Sequence, residues 1–185
     1  MSRIALYGMT REKAEKVSRA AASEGIGCSV FADDSLFSPA ESVFERDNTV
    51  TEPGQKFSRE FILYDGFTVE SIRSFSHTMK RYGIAFDGIR IRLTQENRQW
   101  TVSRLLETAE AEYETAVKLK VLGRMIEAAV QYVRQNPGSD SSEKLAQYAR
   151  EAYTYLHGRE FTLQETDRHC FRLSHELRQL ERTVN

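Results

Sequence analysis

Two stretches of the first hundred residues carry the same signals in the same order, and that repetition constrains the fold more than any other feature. "IALYGMTREKAEKVSRAAASEGIG" begins at Ile4, and "FILYDGFTVESIRSFSHTMKRYGIA" begins at Phe61. In each, a short apolar strand ends in Leu-Tyr, a turn and a threonine follow, and one helix runs to a Gly-Ile stop. Thr10 to Gly25 and Thr68 to Gly83 both span 15 positions. The threonines stand where an N-cap belongs, because the hydroxyl accepts a hydrogen bond from an orphan N–H of the first turn. Phe67 is placed to pack on Ile72 as a hydrophobic staple. Gly25 and Gly83 end the helices, since glycine accepts the left-handed geometry of a helix stop. A second strand follows each helix, "CSVFA" after the first and "GIRIRLT" after the second.

The repeat predicts an α+β fold in which two βαβ units form a four-stranded ferredoxin-like sheet with both helices on one face, over residues 1–100. An all-parallel sheet is the other arrangement these elements allow. Residues 33–57, punctuated by Pro39, Pro53 and Gly54, read as a long loop with a short helical turn near "PAESVFE" and as a candidate flap.

From Thr101 onward the pattern is helical, a C-terminal three-helix extension over residues 101–185. The first helix is expected from about Val102 to near Gln135, where "NPGSD" stops it. Asp140 with Glu143, and Thr162 with Glu165, have the spacing of capping boxes for the next two. On the last helix Cys170, Leu173, Leu177, Leu180 and Val184 follow the 3-4-3-4 spacing of a coiled-coil seam. A stripe that narrow requires a cover.

The segment "ILYDGFTVESIRSFSHTMKRYGI" with "RLTQENRQWTVSRLLE", about residues 62–107, resembles an uncharacterised bacterial family, domain-of-unknown-function family 3783. The likeness is carried by Gly66 and Phe67 after a strand, Leu93 and Thr94 closing the next, and an Asn-x-x-Trp-Thr step at Asn97, Trp100 and Thr101. It implies strand–helix–strand architecture and brings no activity with it. With Thr101 as N-cap, Trp100 becomes the residue before the cap. It is then expected to act as a peg against Leu105 rather than as a ligand platform, with Asn97 binding the backbone of the preceding turn.

Chemistry is sparse. The net charge of −1 gives no global attraction to nucleic acid or anionic membrane, and no long apolar run suggests a signal peptide or membrane span. Cys28 and Cys170 each lie within an apolar pattern and read as buried thiols of a reducing, cytoplasmic setting. His169 and His175 are six apart on a helix, about 240° around the axis, and cannot chelate one ion from one face. Asp33, Asp34 and Asp65 follow strands. They would converge on a hard cation such as Mg²⁺ only in an all-parallel sheet, and Asx turns are the simpler account. No catalytic residue, metal or cofactor is expected.

Strand alternation suggests that Ile4, Leu6, Phe61, Leu63, Ile89 and Ile91 face the helices. It places Arg3, Tyr7, Phe31, Ile62, Tyr64, Arg90 and Arg92 on the other side. Aromatics with neighbouring arginines on such a face would suit stacked RNA bases or another ligand if the face were open. The favoured expectation is that helices or a second copy cover it. The function expected from sequence is therefore a non-catalytic protein–protein contact, most simply self-association through the tail seam at Leu173, Leu177 and Leu180.

Overall fold

The computed structural model describes residues 2–45 and 54–183. The chain forms two compact units, Met1–Glu110 and Ala111–Asn185. The division falls ten residues later than the composition change at Thr101, because the first turns of a long helix belong to the first unit. Among the described residues no helix is long and apolar enough to cross a membrane.

The first unit contains β1 (Arg3–Tyr7), α1 (Arg11–Ala22), β2 (Gly27–Val30), β3 (Phe61–Asp65), α2 (Val69–Arg81) and β4 (Ile89–Arg92). Thr10 caps α1 by accepting from Lys13 N–H. Thr68 and Ser71 form a reciprocal capping box on α2. Gly8, Gly25, Gly66 and Gly83 all take φ near +70°. The equivalent positions lie 58 residues apart, 8 with 66, 10 with 68 and 25 with 83, so the repeat is real at the level of backbone. A Cβ on Gly8 would also sit 2.8 Å from the Arg59 carbonyl oxygen, so the turn after β1 requires glycine twice over.

The sheet is mixed, in the order β2-β1-β3-β4. β1 pairs parallel with β2, β3 pairs parallel with β4, and β1 and β3 meet antiparallel at the centre. The ferredoxin-like order expected from sequence is therefore corrected. That order needs the second repeat's first strand inserted between β1 and β2, and the direct register of Ile4 on Cys28 leaves no room.

The alternation is corrected as well. The 58-residue offset makes Tyr64 the equivalent of Leu6, not of Tyr7, and a one-residue slip turns every side chain of a strand to the other face. Ile4, Leu6, Ile62 and Tyr64 pack with Val17, Ala20, Phe75 and Met79 of the two helices. α1 and α2 thus share one face, as expected. Phe61, Leu63, Ile89 and Ile91 lie on the face away from them, by their register with Tyr7, Ala5 and one another.

That second face is closed from within the unit. Two 3-10 turns, Asp33–Ser35 and Ala40–Phe44, bring Leu36, Ala40, Val43 and Phe44 into the interior. Ser29 donates to the Val43 carbonyl at 2.8 Å. α3 (Val102–Gln135) adds Val102, Leu105 and Leu106, and its first N–H groups donate to the Leu36 and Ser38 carbonyls at 2.8 and 3.0 Å. Residues 33–45 are thus a lining of the core rather than a flap, and 46–53 lie outside the described residues.

The second unit holds the rest of α3, with α4 (Asp140–Leu156) and α5 (Leu163–Thr183). The N-cap of α4 is Ser139, which accepts from Ser142 N–H, in place of the expected Asp140. Thr162 caps α5 by accepting from Glu165 N–H at 3.2 Å. Ion pairs Glu151–Arg172 and Lys144–Glu176 run in opposite sequence directions, so α4 and α5 are antiparallel. Leu122, Ile126 and Ala129 of α3 meet Leu145, Ala149 and Ala152 of α4 and Leu173 and Leu180 of α5 in one apolar core.

Candidate interaction surface

The sheet-face residues do not form one site. Arg3, Tyr7 and Phe31 lie on the lined face, whereas Tyr64 lies among the helices with Arg90 and Arg92 beside it at the β4 edge. Both tyrosines are fully buried. Burial pushes each hydroxyl up to about 12, with the Arg90 charge acting against the shift at Tyr64. Tyr7 packs against Phe31, Phe57 and Phe61 at centroid separations of 5.3 to 6.0 Å. The Tyr64 ring meets Phe67 and Phe75 edge-on, and among the described residues its buried hydroxyl has no hydrogen-bond partner. The open aromatic platform is thus replaced by two separate cores. Arg90 covers Phe86 instead, its guanidinium 4.6 Å from the ring.

The acids are also distributed. Arg3 is opposite Asp65 in the β1–β3 register, so Asp65 lies at the end of the sheet away from Asp33. Asp65 accepts from Arg3 at 2.6 Å and from Arg98 at 3.1 Å. Asp33 accepts from the Tyr7 hydroxyl and from the N–H groups of Gln55 and Lys56, fastening the two described ends of the long connection.

The Tyr7 hydrogen bond, followed by those backbone donors, holds the Asp33 carboxyl below the usual carboxylate range. A carboxylate with a depressed folded pKa adds stability above its unfolded value, about 4, and loses it as pH falls through the folded one. The acid limb of unfolding, from about pH 5 downward, is therefore expected to be shallower in Asp33→Asn than in the parent. Urea midpoints taken every half pH unit measure this, and superimposable limbs would count against the latch.

Trp100 is half-buried, with the Arg104 guanidinium 4.1 Å over its ring. Its carbonyl accepts from Ala40 N–H at 2.8 Å, and Thr101 accepts from Arg104 N–H. Asn97 binds the Thr94 N–H and the Arg92 carbonyl, as expected from the sequence. This step fixes where α3 begins.

The tail seam faces inward from Cys170 to Leu180, and Val184 lies outside the described residues. Leu173 and Leu180 are buried in the helical core, with Leu177 and Cys170 packed against it. Intramolecular helices therefore cover the residues expected to join copies. Sequence reasoning missed a different stripe. Val117 and Val121 are 42% and 39% exposed on α3, and Phe171 on α5 is 69% exposed. Lys118 pairs with Asp167 at 2.6 Å and its carbonyl approaches the Cys170 thiol at 4.0 Å, which puts these two helical turns side by side. Glu114 and Arg124 bracket the valines on the same helix face at 3-4-3 spacing, and neither has an ion-pair partner among the described residues. The signal was present in the sequence as apolar residues at 117 and 121, outside the stripe of Leu122, Ile126, Ala129 and Val133.

Burial raises the thiols of Cys28 and Cys170, and it lowers His169, which stacks on Tyr155 at 4.9 Å. Among the described residues no cluster of His, Cys, Asp and Glu has the geometry of a metal site. Comparisons with protein-family models, curated proteins and solved structures find no match to this chain.

Proposed function

We propose that the chain is a non-catalytic protein–protein interaction module in which two copies pair through α3 of the helical unit. The observation that carries this reading is the mirror order Glu114, Val117, Val121, Arg124 on one exposed face. An antiparallel two-fold pair centred on residue 119 sets Val117 against Val121 of the second copy and Glu114 against its Arg124. That is the self-complementarity an isologous interface requires. Because α5 runs parallel to α3, the same axis carries α5 of both copies to one side, and the two Phe171 rings approach each other there.

Sedimentation equilibrium is expected to give twice the chain mass at micromolar protein. Val121→Glu should weaken pairing about 100-fold, since it buries an unpaired charge worth about 3 kcal/mol. Glu114→Arg alone should weaken pairing, and adding Arg124→Glu should restore it by exchanging the signs. A parent chain that stays monomeric at 100 µM, or a double exchange that restores nothing, would overturn the proposal.

A further inference from the structure

The helical unit has a second uncovered surface, on the side of the α3–α4 hairpin away from α5. Ile126 and Val133 of α3 and Ala149 of α4 form the floor of a groove of about 380 Å³. Val130 and Tyr153 rise along it, 38% and 56% exposed. A groove between two antiparallel helices is a seat for one more helix, whose apolar side chains at i, i+3 and i+4 fill it.

The charges around the groove select the partner. Arg134 on α3 and Arg150 on α4 both line it, and neither has a carboxylate partner among the described residues. On the α5 side of the hairpin the opposite holds: Lys144 is paired with Glu176, and Arg172 with Glu151. The unpaired guanidiniums therefore stand where a bound helix would present its flanks. Toward the 136–139 turn the lining takes in Asp140 and Glu143, beside a Lys144 that Glu176 already pairs.

We infer that the α3–α4 groove binds an amphipathic helix of another protein whose apolar stripe is flanked by Glu or Asp. The acidic flanks meet Arg134 and Arg150, and the end lying toward Asp140 carries a cation. The site is independent of the α3 face used for self-pairing, because Val130 and Val133 project from the other side of the helix.

The test uses two fluorescein-labelled helical peptides of about 18 residues with the same Leu/Ile stripe, one flanked by Glu and the other by Lys. Anisotropy is read with the full chain carrying Val121→Glu, so self-pairing and groove binding fail or succeed separately. The Glu peptide should bind at least tenfold more tightly. Arg134→Glu with Arg150→Glu should reverse the preference, and Tyr153→Ala should weaken both peptides about tenfold. Equal affinity for the two peptides, no binding of either, or a preference that survives the charge reversal would overturn the inference. So would a Val121→Glu chain that still dimerises and is dissociated by the Glu peptide, because a second copy would then be the occupant.

Discussion

Leu173→Ala is expected to remove about 3 kcal/mol from the stability of the helical unit. The side chain is fully buried among Leu122, Ile126, Leu145 and Ala149. A leucine truncated in such a place loses the transfer energy of its methyl groups and leaves a void that packed helices only partly close, a cost of roughly 2 to 5 kcal/mol. Leu177→Ala, at a partly buried position of the same seam, should cost about half as much. The number also decides what the seam is for. A stripe that joined two copies would lose stability in a manner that depends on protein concentration. A stripe inside one chain would not. Urea unfolding of Leu173→Ala in the Val121→Glu background, at 1 and 50 µM, should give the same midpoint at both concentrations. A loss under about 1 kcal/mol, or one that varies with concentration, would restore the intermolecular seam.

The seam shows how far a sequence carries an argument of this kind. The 3-4-3-4 spacing of Cys170, Leu173, Leu177 and Leu180 correctly demanded a partner, but periodicity is blind to whether that partner is another helix of the same chain. Local signals fared well because their causes are local. Thr10, Thr68 and Thr162 cap helices, Gly25 and Gly83 end them, Asn97 ties down the turn before α3, and α3 spans Val102–Gln135. Each of these depends on a few neighbouring backbone groups.

What depended on distant partners held only in part. Matching Leu-Tyr to Leu-Tyr aligned the repeats one residue out of step, because Gly8 follows Tyr7 directly whereas Asp65 stands between Tyr64 and Gly66. The glycines at +70° carry the true offset, and they put Tyr7 and Tyr64 on opposite faces. The polar look of residues 33–45 likewise hid Leu36, Ala40, Val43 and Phe44, whose spacing of three and four was the available sign of a buried side. The sheet face expected to need a cover is lined by residues 33–45 and the first turns of α3 of the same chain. In the helical unit exposed apolar side chains stand on two sides of α3, Val117 and Val121 on one and Val130 on the other.

Asp65→Ala is the second substitution with a large expected effect, about 2 to 3 kcal/mol on the first unit. The carboxylate is 11% exposed and holds two guanidiniums, Arg3 at 2.6 Å and Arg98 at 3.1 Å, each about one-third exposed. Removing it leaves two like charges facing each other beside a buried apolar sheet, and uncompensated buried charge costs more than the pair itself contributes. Water reaching the arginines keeps the figure at the lower end of the range for buried pairs. Arg98 has little to fall back on: among the described residues its Nε is buried without a partner, and its other ion pair is with Glu41 at 3.3 Å. Asp65→Asn keeps an acceptor and loses the charge, so it should cost about half as much. Arg98 stands two residues before Trp100, the chain's single tryptophan, so its fluorescence reports on this end of the sheet. In Asp65→Ala the tryptophan transition should shift to lower urea together with the far-UV signal of the first unit. Combining Asp65→Ala with Arg98→Ala should cost less than the sum of the two alone by about 1 kcal/mol, because removing the second charge relieves the repulsion left by the first. Strict additivity would mean that the two side chains do not act on each other, and Asp65 would then be an ordinary strand-end acid.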